Sequence, residues 1–500
     1  MILVFSYINN FLCGRRLAAI MVLLSSFLIF STDQTRAHAK MIRSQPASGE
    51  TLQQAPKAVE LEFNQKLQTG DVNSIFVTDE NGGRVDKNSI VVSEDGKKLQ
   101  VELEDLSSGA YRVEWKALSA DEHSIKGSFA FRVAVSKGEI KTVAAPQDDF
   151  QDFAAPPTQE SGTNWIQMAA RWIAHLAMTM LFGGFAFLLL VLKPSLQSSP
   201  IVHDEEQAAS FKHGKNLFIR LAWLNLVLLV VSAVAALVLQ TSDVYSLSLA
   251  NAIAPANLLR TSTETSFGET WLLQAVFAVL LFFIVFSINR QSRKNASLTA
   301  EANGKTLLLW LGLCICALLF LAQSLSGHAW AAAREYPFAI VSQWLHLIAV
   351  GVWLGGLFHL VLILPRSIEN FDGVQRLSVL ANSIGRFSRY AVAFSILLAI
   401  TGIYSSWIHV KEFSDLWTSV YGNVLTAKIA VFLLMLALGG FNSFFLSPRI
   451  QRLIEAPDSE SRISRTSRFF YRAVGIEAAL GAIALLLAAV LAFAPLGHQH

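Results

Sequence analysis

Residues 344–363 read WLHLIAVGVWLGGLFHLVLI, a run that contains no Asp, Glu, Lys or Arg. At about 1.5 Å of rise per residue, such a run crosses the roughly 30 Å hydrocarbon core of a bilayer as an α-helix. Seven further apolar segments of similar length are centred near residues 178, 229, 279, 314, 398, 435 and 484. Because a backbone in lipid must satisfy its own hydrogen bonds, we predict an all-α polytopic membrane domain of eight transmembrane helices over residues 164–500.

The composition of the whole chain agrees with a protein that lies mostly in lipid. Of its 500 residues, 53% are hydrophobic and 15% are charged, and the mean hydropathy is +0.44. These values exclude an ordinary soluble globular protein. The net charge of +3 is small and the excess of Lys and Arg lies in short loops, so we expect no nucleic-acid partner.

The distribution of positive charge predicts the orientation of the helices. The loops that follow the odd-numbered helices contain seventeen Lys and Arg residues, whereas the intervening loops contain only Arg260, Arg334 and Lys411. Loops rich in Lys and Arg stay in the cytoplasm. We therefore predict a multi-pass protein of the cytoplasmic membrane, with both the N-terminal domain and the C-terminus outside.

Several features of the first four predicted helices recur in the last four. The recurring pairs are Trp172 and Trp344, Gly183-Gly184 and Gly355-Gly356, Phe267-Gly268 and Tyr421-Gly422, and Gly327-His328 and Gly497-His498. An even number of helices gives both units the same orientation in the membrane. The pattern therefore predicts a 4+4 parallel repeat, as some transporters have.

The first 37 residues have the pattern of a secretory signal peptide. Arg15 and Arg16 precede an apolar run over residues 17–30 that is short for a membrane span, and small residues follow. Cleavage after Ala37 leaves His38 as the first residue of the mature chain. Cleavage after Ala39 fits the A-x-A pattern better and removes that histidine, and an uncleaved anchor is the remaining alternative.

Residues 38–135 have the alternation of half-buried strands. Apolar and polar residues alternate over 59–63, 99–103 and 111–115, and glycine-containing turns separate these segments. The pattern predicts a small antiparallel β-sandwich outside the membrane. Residues 136–163, which contain three prolines and several acidic residues, are predicted to be a flexible linker.

The predicted sandwich resembles the CopC family of copper-resistance proteins. The residues that carry the resemblance are His38, SQPASG at 44–49, APKAVELEF at 55–63, SADEH at 119–123 and GSF at 127–129. The resemblance implies a Greek-key sandwich in which the mature N-terminal histidine and an Asp-x-His pair bind Cu(II). The matching positions are His38, Asp121 and His123.

The chemistry of these three residues suits Cu(II). A free N-terminal amine and its own imidazole form a chelate that a second imidazole and a carboxylate complete, and tetragonal N and O sites favour Cu(II). The alternative is that Asp121 and His123 are ordinary turn residues. Two departures from the family accompany the match: Gln65 replaces an acidic residue of some relatives, and no methionine lies between Met41 and Met168, so we expect a Cu(II)-only domain.

The second half of the membrane domain resembles the CopD family. The matching segments are SGHA at 326–329, WLHL at 344–347, VWLGG at 352–356, RFS at 386–388, and Gly422 with Leu425, Ala427 and Lys428. Together the two parts resemble a natural CopC–CopD fusion, similar to the YcnJ-type copper uptake proteins. The resemblance implies copper as cargo, of unspecified oxidation state in the membrane domain.

Ionisable residues inside a membrane are costly and are therefore functional candidates. We predict a copper path that includes His328 and His346. Weaker candidates for the same path are His175, His409, His498, His359 and Met178. The alternative is that histidines at helix ends bond to carbonyls and that His359 packs against a neighbouring helix. Lys428 and Glu477, on the last two helices, are expected to form a buried ion pair, with a proton-linked element as the alternative.

These features predict a copper importer rather than an enzyme. Copper captured by the sandwich, with or without a copper chaperone outside the cell, passes to the membrane histidines and then inward. No nucleotide-binding motif is present in the sequence. The alternatives are a membrane redox protein in which His175 and His346 hold haem, and a module that senses or buffers copper without transport.

Overall fold

The computed structural model describes residues 41–69, 72–120, 124–134, 164–294, 302–326, 338–410, 412–446, 448–450, 452 and 460–494. The predicted signal peptide, the whole predicted linker and both predicted boundaries of the sandwich, at 38 and 135, lie outside these residues. Within them the chain forms a β-sandwich followed by a helical domain.

The N-terminal part is a sandwich of two four-stranded sheets. Its strands are β1 Met41–Gln45, β2 Thr51–Leu52, β3 Ala58–Phe63, β4 Ser74–Asp79, β5 Asp86–Val92, β6 Lys98–Leu103, β7 Gly109–Leu118 and β8 Ser124–Val133. The strand orders are β1-β3-β6-β5 and β2-β8-β7-β4. The predicted sandwich is confirmed, with one difference, since β2 pairs with β8 in parallel.

Alternating side chains fill the space between the two sheets. In β3 every second residue is buried, so that Val59, Leu61 and Phe63 face the core. Phe63 meets the indole of Trp115 edge-on at 5.3 Å between ring centroids. The period of two therefore produces one apolar face per sheet, and these two faces form a core of their own.

Eight helices are long and apolar enough to cross a membrane, which confirms the predicted number. They are α1 Asn164–Ala186, α2 Asp204–Tyr245, α3 Ser266–Lys294, α4 Ala302–Ser324, α5 Ala339–Leu362, α6 Gly373–His409, α7 Val420–Phe441 and α8 Glu460–Leu491. A π-helical turn, Phe187–Leu192, continues α1 into a short helix, and a second, Asn442–Leu446, follows α7.

Helices α1 and α5 cross at the centre of the bundle, and glycine makes this crossing possible. A Cβ atom on Gly183 would lie 2.3 Å from the Cα atom of Gly355, so neither position has room for a side chain. Close approach of two helix backbones through small residues is a common mode of packing in membranes.

The neighbours of the two central helices correspond between the halves. The Trp172 indole on α1 donates to the Ala482 carbonyl on α8 (3.1 Å), and the Trp344 indole on α5 donates to the Ala317 carbonyl on α4 (2.8 Å). Helix α2 packs on α1 as α6 packs on α5, and α3 packs on α4 as α7 packs on α8. The origin of this arrangement in a 4+4 repeat stays a prediction.

One pair of helices breaks the correspondence. Helices α2 and α3 pack against each other, whereas their counterparts α6 and α7 make no extended contact. Apolar side chains beside the resulting gap are exposed, including Ile403 on α6 (71% exposed) and Leu433 on α7 (57% exposed). The second half of the bundle is therefore open on one side between α6 and α7.

The sandwich rests on the ends of α2 and α3. Leu118, at the end of β7, is buried in a small apolar cluster with Val244 of α2. The Lys116 ammonium donates to the Asp243 carbonyl and to the Ser246 hydroxyl, the latter at 2.7 Å. We call the helix ends on this side the proximal ends. The segments with the seventeen Lys and Arg residues, which are the loops after the odd-numbered helices and the adjoining parts of the helices, lie on the opposite, distal side.

A histidine-lined cavity as the candidate functional site

A cavity of about 940 Å³ occupies the proximal half of the bundle. All eight helices contribute to its lining, most of which is apolar. The polar side chains that line it include Gln167, Arg171, His175, Gln240, Asp243, Gln274, Gln323, Gln343, His346, His409, Glu412, Tyr421 and Lys428. Three of the histidines predicted to take part in a copper path, His175, His346 and His409, are thus brought to one cavity.

His346 lines this cavity, and a hydrogen bond to α6 holds its ring. The Thr401 hydroxyl donates its hydrogen to the Leu397 carbonyl (2.7 Å), so its oxygen accepts a hydrogen bond from His346 Nδ1 (2.8 Å). The proton therefore resides on Nδ1, and Nε2 carries a lone pair. A neutral imidazole fixed in this way by an outer hydrogen bond is the form that binds metal ions.

His175 and His409 line the same cavity in different ways. His409 Nδ1 donates to the Ser405 carbonyl one turn earlier (2.7 Å), and its ring stacks on Tyr421 with centroids 6.0 Å apart. That carbonyl contact agrees with the structural alternative for a histidine at a helix end. His175 makes no hydrogen bond to any residue in the described part of the chain, so its imidazole is available to a ligand in the cavity.

His359 and Met178 lie away from the cavity. His359 is completely buried in the distal half of α5, and its Nδ1 donates to the Gly355 carbonyl (2.7 Å). Its Nε2 points toward Gly184 and Phe218 and has no partner among the described residues. Met178 is buried in the apolar core. Neither residue lines the cavity, because the ring of His359 packs on Phe187 and Phe218 and Met178 is enclosed in the core. Their part in a copper path stays a prediction.

The expected ion pair between Lys428 and Glu477 is wrong. The Glu477 carboxylate accepts a hydrogen bond from the Asn442 amide (3.2 Å) and lies beside Gly439. Gly439 is about 17 Å along α7 from Lys428, which is too far for an ion pair. Lys428 lies instead on the cavity wall, within electrostatic reach of His175 and His346.

Five of the predicted copper ligands lie outside the described residues, and these are His38, Asp121, His123, His328 and His498. Among the residues that are described, no group of three His, Cys, Asp or Glu side chains is arranged to hold a metal ion. The described neighbours of the Asp-x-His pair can be located: Leu118 pairs with Ser124 across the β7–β8 hairpin. Gln65, beside this end of the sandwich, has a buried side-chain oxygen with no partner in the described part.

Family models match both parts of the chain. The model described as CopC domain matches residues 41–134, that of Copper resistance protein D-like, N-terminal domain matches 161–336, and that of Copper resistance protein D matches 381–491. The chain is also 32% identical over 104 residues to Copper resistance protein C of Pseudomonas syringae pv. tomato, covering 82% of that protein and 20% of this chain. The chain belongs to the CopC copper-resistance family and carries domains that match the CopD family models in the same polypeptide.

The CopC–CopD fusion extends over nearly the whole sequence. Copper transport protein CutJ of Bacillus subtilis (strain 168) is 28% identical over 476 residues, which cover 95% of this chain and 77% of that protein. The CopC part is similar to the crystal structure of CopC from Methylosinus trichosporium OB3b at 24% identity, covering 21% of this chain and 100% of that chain with a TM-score of 0.19. The protein is therefore a multi-pass membrane protein of the copper transport and resistance families.

Two features of the CopD cavity were missed from the sequence. Thr401, which orients His346, is 55 residues away from it in the chain and belongs to no motif. Met435, a thioether on the cavity wall, lies on α7, whereas the methionine predicted from the sequence, Met178, lies on α1. A polar residue isolated in an apolar helix was the only available signal for Thr401.

Proposed function

We propose that the protein binds Cu(II) at its CopC domain and imports copper across the cytoplasmic membrane. His38, Asp121 and His123 hold the ion outside the cell, with the N-terminal amine completing the site. Copper then passes to the cavity of the CopD domain, where His346 Nε2 is its first ligand and His175 a second. His359, with an unpartnered Nε2 in the distal half, is the next ligand on the way inward.

The observation that carries this proposal is the position of the sandwich above the cavity. Leu118, three residues before Asp121 in the chain, packs on Val244. Asp243, the preceding residue on α2, lines the cavity. The β7–β8 end of the CopC domain therefore rests on the cavity rim. A short transfer between the two sites is consistent with this contact.

The charge of the loops supports the proposed direction. The sandwich lies at the proximal ends, and the loops rich in Lys and Arg lie at the distal side. Under the positive-inside rule the distal side faces the cytoplasm. The cavity then opens toward the side from which copper is captured.

The copper content of cells grown under copper limitation tests the proposal. We expect His38→Ala and His346→Ala to reduce accumulation toward that of a deletion strain, at equal protein level in the membrane. His213→Ala is the matched control, because His213 is an exposed distal histidine whose only described ionic contact is with Glu369 at 3.9 Å. If the deletion strain accumulates as much copper as wild type, import is wrong.

The capture site depends on where the signal peptide is cut. Cleavage after Ala37 gives a mature chain that begins with His38, whose amine and imidazole form the chelate. We expect intact-mass measurement of the protein purified from membranes to give this N-terminus. A chain that begins at Lys40 lacks the proposed first ligand and contradicts the capture mechanism.

A second function is favoured by the same cavity. His175 and His346 lie on adjacent helices and line one cavity, and two such imidazoles would hold the iron of a haem. The protein would then pass electrons to copper rather than carry it. Purification from haem-supplemented cells distinguishes the two, because a Soret band lost in both His175→Ala and His346→Ala supports haem, and a colourless protein that transports copper excludes it.

A further inference from the structure

The cavity is much larger than a copper ion requires. Its volume of about 940 Å³ compares with roughly 30 Å³ for one water molecule in the liquid. Pockets of a few hundred to about 1,000 Å³ with mostly apolar walls and a few placed polar groups are typical of sites for small organic molecules. The volume of the cavity therefore fits a complex of a metal ion with a small organic ligand better than it fits a bare ion.

A positive charge on the cavity lining indicates that this ligand is an anion. Lys428 extends from α7 into the cavity, and it forms no hydrogen bond or ion pair with any described residue. The two carboxylates on the lining are engaged elsewhere: Asp243 lies by Lys116, and Glu412 accepts a hydrogen bond from the Ser414 hydroxyl (3.3 Å). An ammonium group in an apolar space is costly unless an anion pairs with it.

The positions of Lys428 and His346 add a geometric argument. Both line the same space, and the Lys428 charge acts on the imidazoles of His346 and His175. A bare Cu(I) or Cu(II) ion bound there would be repelled by the ammonium. A copper ion that carries an anionic ligand would instead present the metal to His346 Nε2 and a negative oxygen to Lys428.

We propose that the cavity accepts copper as a complex with a small carboxylate-bearing chelator, and that Lys428 binds the carboxylate. His346 contributes an imidazole nitrogen to the metal, and the chelator completes the coordination. No change of oxidation state is involved. This inference rests on the proposed function, because it specifies the form in which the cavity receives its cargo.

Co-binding of metal and ligand tests the proposal in the full-length protein in detergent. The probes are carbon-14-labelled citrate and carbon-14-labelled histidine, each with and without Cu(II). We expect copper-dependent retention of at least one label. Lys428→Met should weaken that retention at least about tenfold, whereas Lys428→Arg should preserve most of it. Lys193→Met, which removes a distal lysine bonded to Thr306, is the matched control and should leave retention unchanged.

Three results would overturn the proposal. The first is that neither label is retained when copper is bound, and the second is equal retention by Lys428→Met and wild type. The third is phospholipid phosphate that co-purifies with wild type and is lost in Lys428→Met, since the gap between α6 and α7 also gives a lipid access to this lysine. If His346→Ala still lowers copper accumulation, each of these results contradicts the chelate proposal but not the import proposal. The failure of one proposal can therefore be distinguished from the failure of the other.

Discussion

At the scale of single residues, the site depends on hydrogen bonds that fix imidazole tautomers. His359 Nδ1 donates to a backbone carbonyl, and His346 Nδ1 donates to a hydroxyl whose own hydrogen goes to the Leu397 carbonyl, which leaves the lone pair on Nε2 in both rings. The sequence predicted His346 from its motif and from the cost of a histidine in lipid. It could not predict Thr401, because the pairing of α5 with α6 decides which hydroxyl reaches the ring.

Replacement of Thr401 by valine should weaken copper binding in the CopD domain. Valine keeps the shape of threonine but removes the acceptor of His346 Nδ1, and loss of such an outer contact costs about 10–100-fold in metal affinity. Affinity is measured by competitive copper titration in the His38→Ala background. This background removes the proposed first ligand of the CopC site, so that the membrane site is measured alone. Thr263→Val is the control, since Thr263 is exposed and bonds only to the Leu259 carbonyl; unchanged affinity in Thr401→Val would remove the positioning role.

Asp86 should make the CopC domain sensitive to acid. Burial opposes its charge, but the Arg84 guanidinium and the backbone N–H groups of Val77 and Asn88 outweigh burial and hold the pKa of Asp86 below its ordinary value. A carboxylate of this kind stabilises the fold above its unfolded pKa of about 3.9 and loses that effect as pH falls through its folded pKa.

The corresponding variant is Asp86→Asn. We expect it to reduce the free energy of unfolding of the sandwich by roughly 1–3 kcal/mol near neutral pH, and to remove part of the acid dependence. Amide hydrogen exchange of β3 and β6 in the full-length protein measures both effects. The exposed Glu104→Gln is the control, with an expected change of less than about 0.5 kcal/mol. Equal exchange in both variants would contradict the assignment.

At the scale of elements, period and length predicted which segments are strands and which are helices. The alternating segments 59–63, 99–103 and 111–115 lie inside β3, β6 and β7. The parallel pairing of β2 with β8 was not predicted, because a strand of two residues has no readable period. The recurrence of Gly183 and Gly355 was visible in the sequence, but their mutual contact depends on how α1 crosses α5.

Substitution of a glycine at the crossing of α1 and α5 should have the opposite effect from substitution of a glycine with free space around it. Gly183→Ala places a methyl group against the backbone of α5 and should lower stability by about 1–3 kcal/mol or more. Gly385→Ala on α6 meets no atom within 4 Å and should be neutral or stabilising by up to about 1 kcal/mol. Thermal unfolding in detergent compares the two; a Gly183→Ala protein as stable as Gly385→Ala would contradict the close crossing.

At the scale of the whole molecule, the sequence predicted two domains and eight helices but not their contact. Docking of the sandwich depends on Leu118 and Lys116 of β7 and on the last turn of α2, none of which belongs to a recognisable motif. Likewise, the sequence does not predict the gap between α6 and α7, because each is simply an apolar segment long enough to span a membrane. Both features follow from three-dimensional packing rather than from local pattern.

Cysteine cross-linking tests the docked arrangement. Leu118→Cys with Val244→Cys, in a background of Cys314→Ala and Cys316→Ala, should form a disulfide readily, because the two side chains share one apolar cluster. The pair Lys97→Cys with Val244→Cys is the control and should remain reduced, since Lys97 lies in the turn between β5 and β6. Equal yields for the two pairs would show that the sandwich is not held at the cavity rim.

The direction of copper movement is the most direct test of the account. Full-length protein is reconstituted in vesicles, and those with the sandwich outside are separated by its accessibility to an antibody. With radioactive copper added outside, we expect vesicles of this orientation to accumulate the metal, and His346→Ala vesicles to accumulate far less. Copper entry at the rate of protein-free vesicles, or entry only where the sandwich faces inward, would contradict import through the histidine-lined cavity.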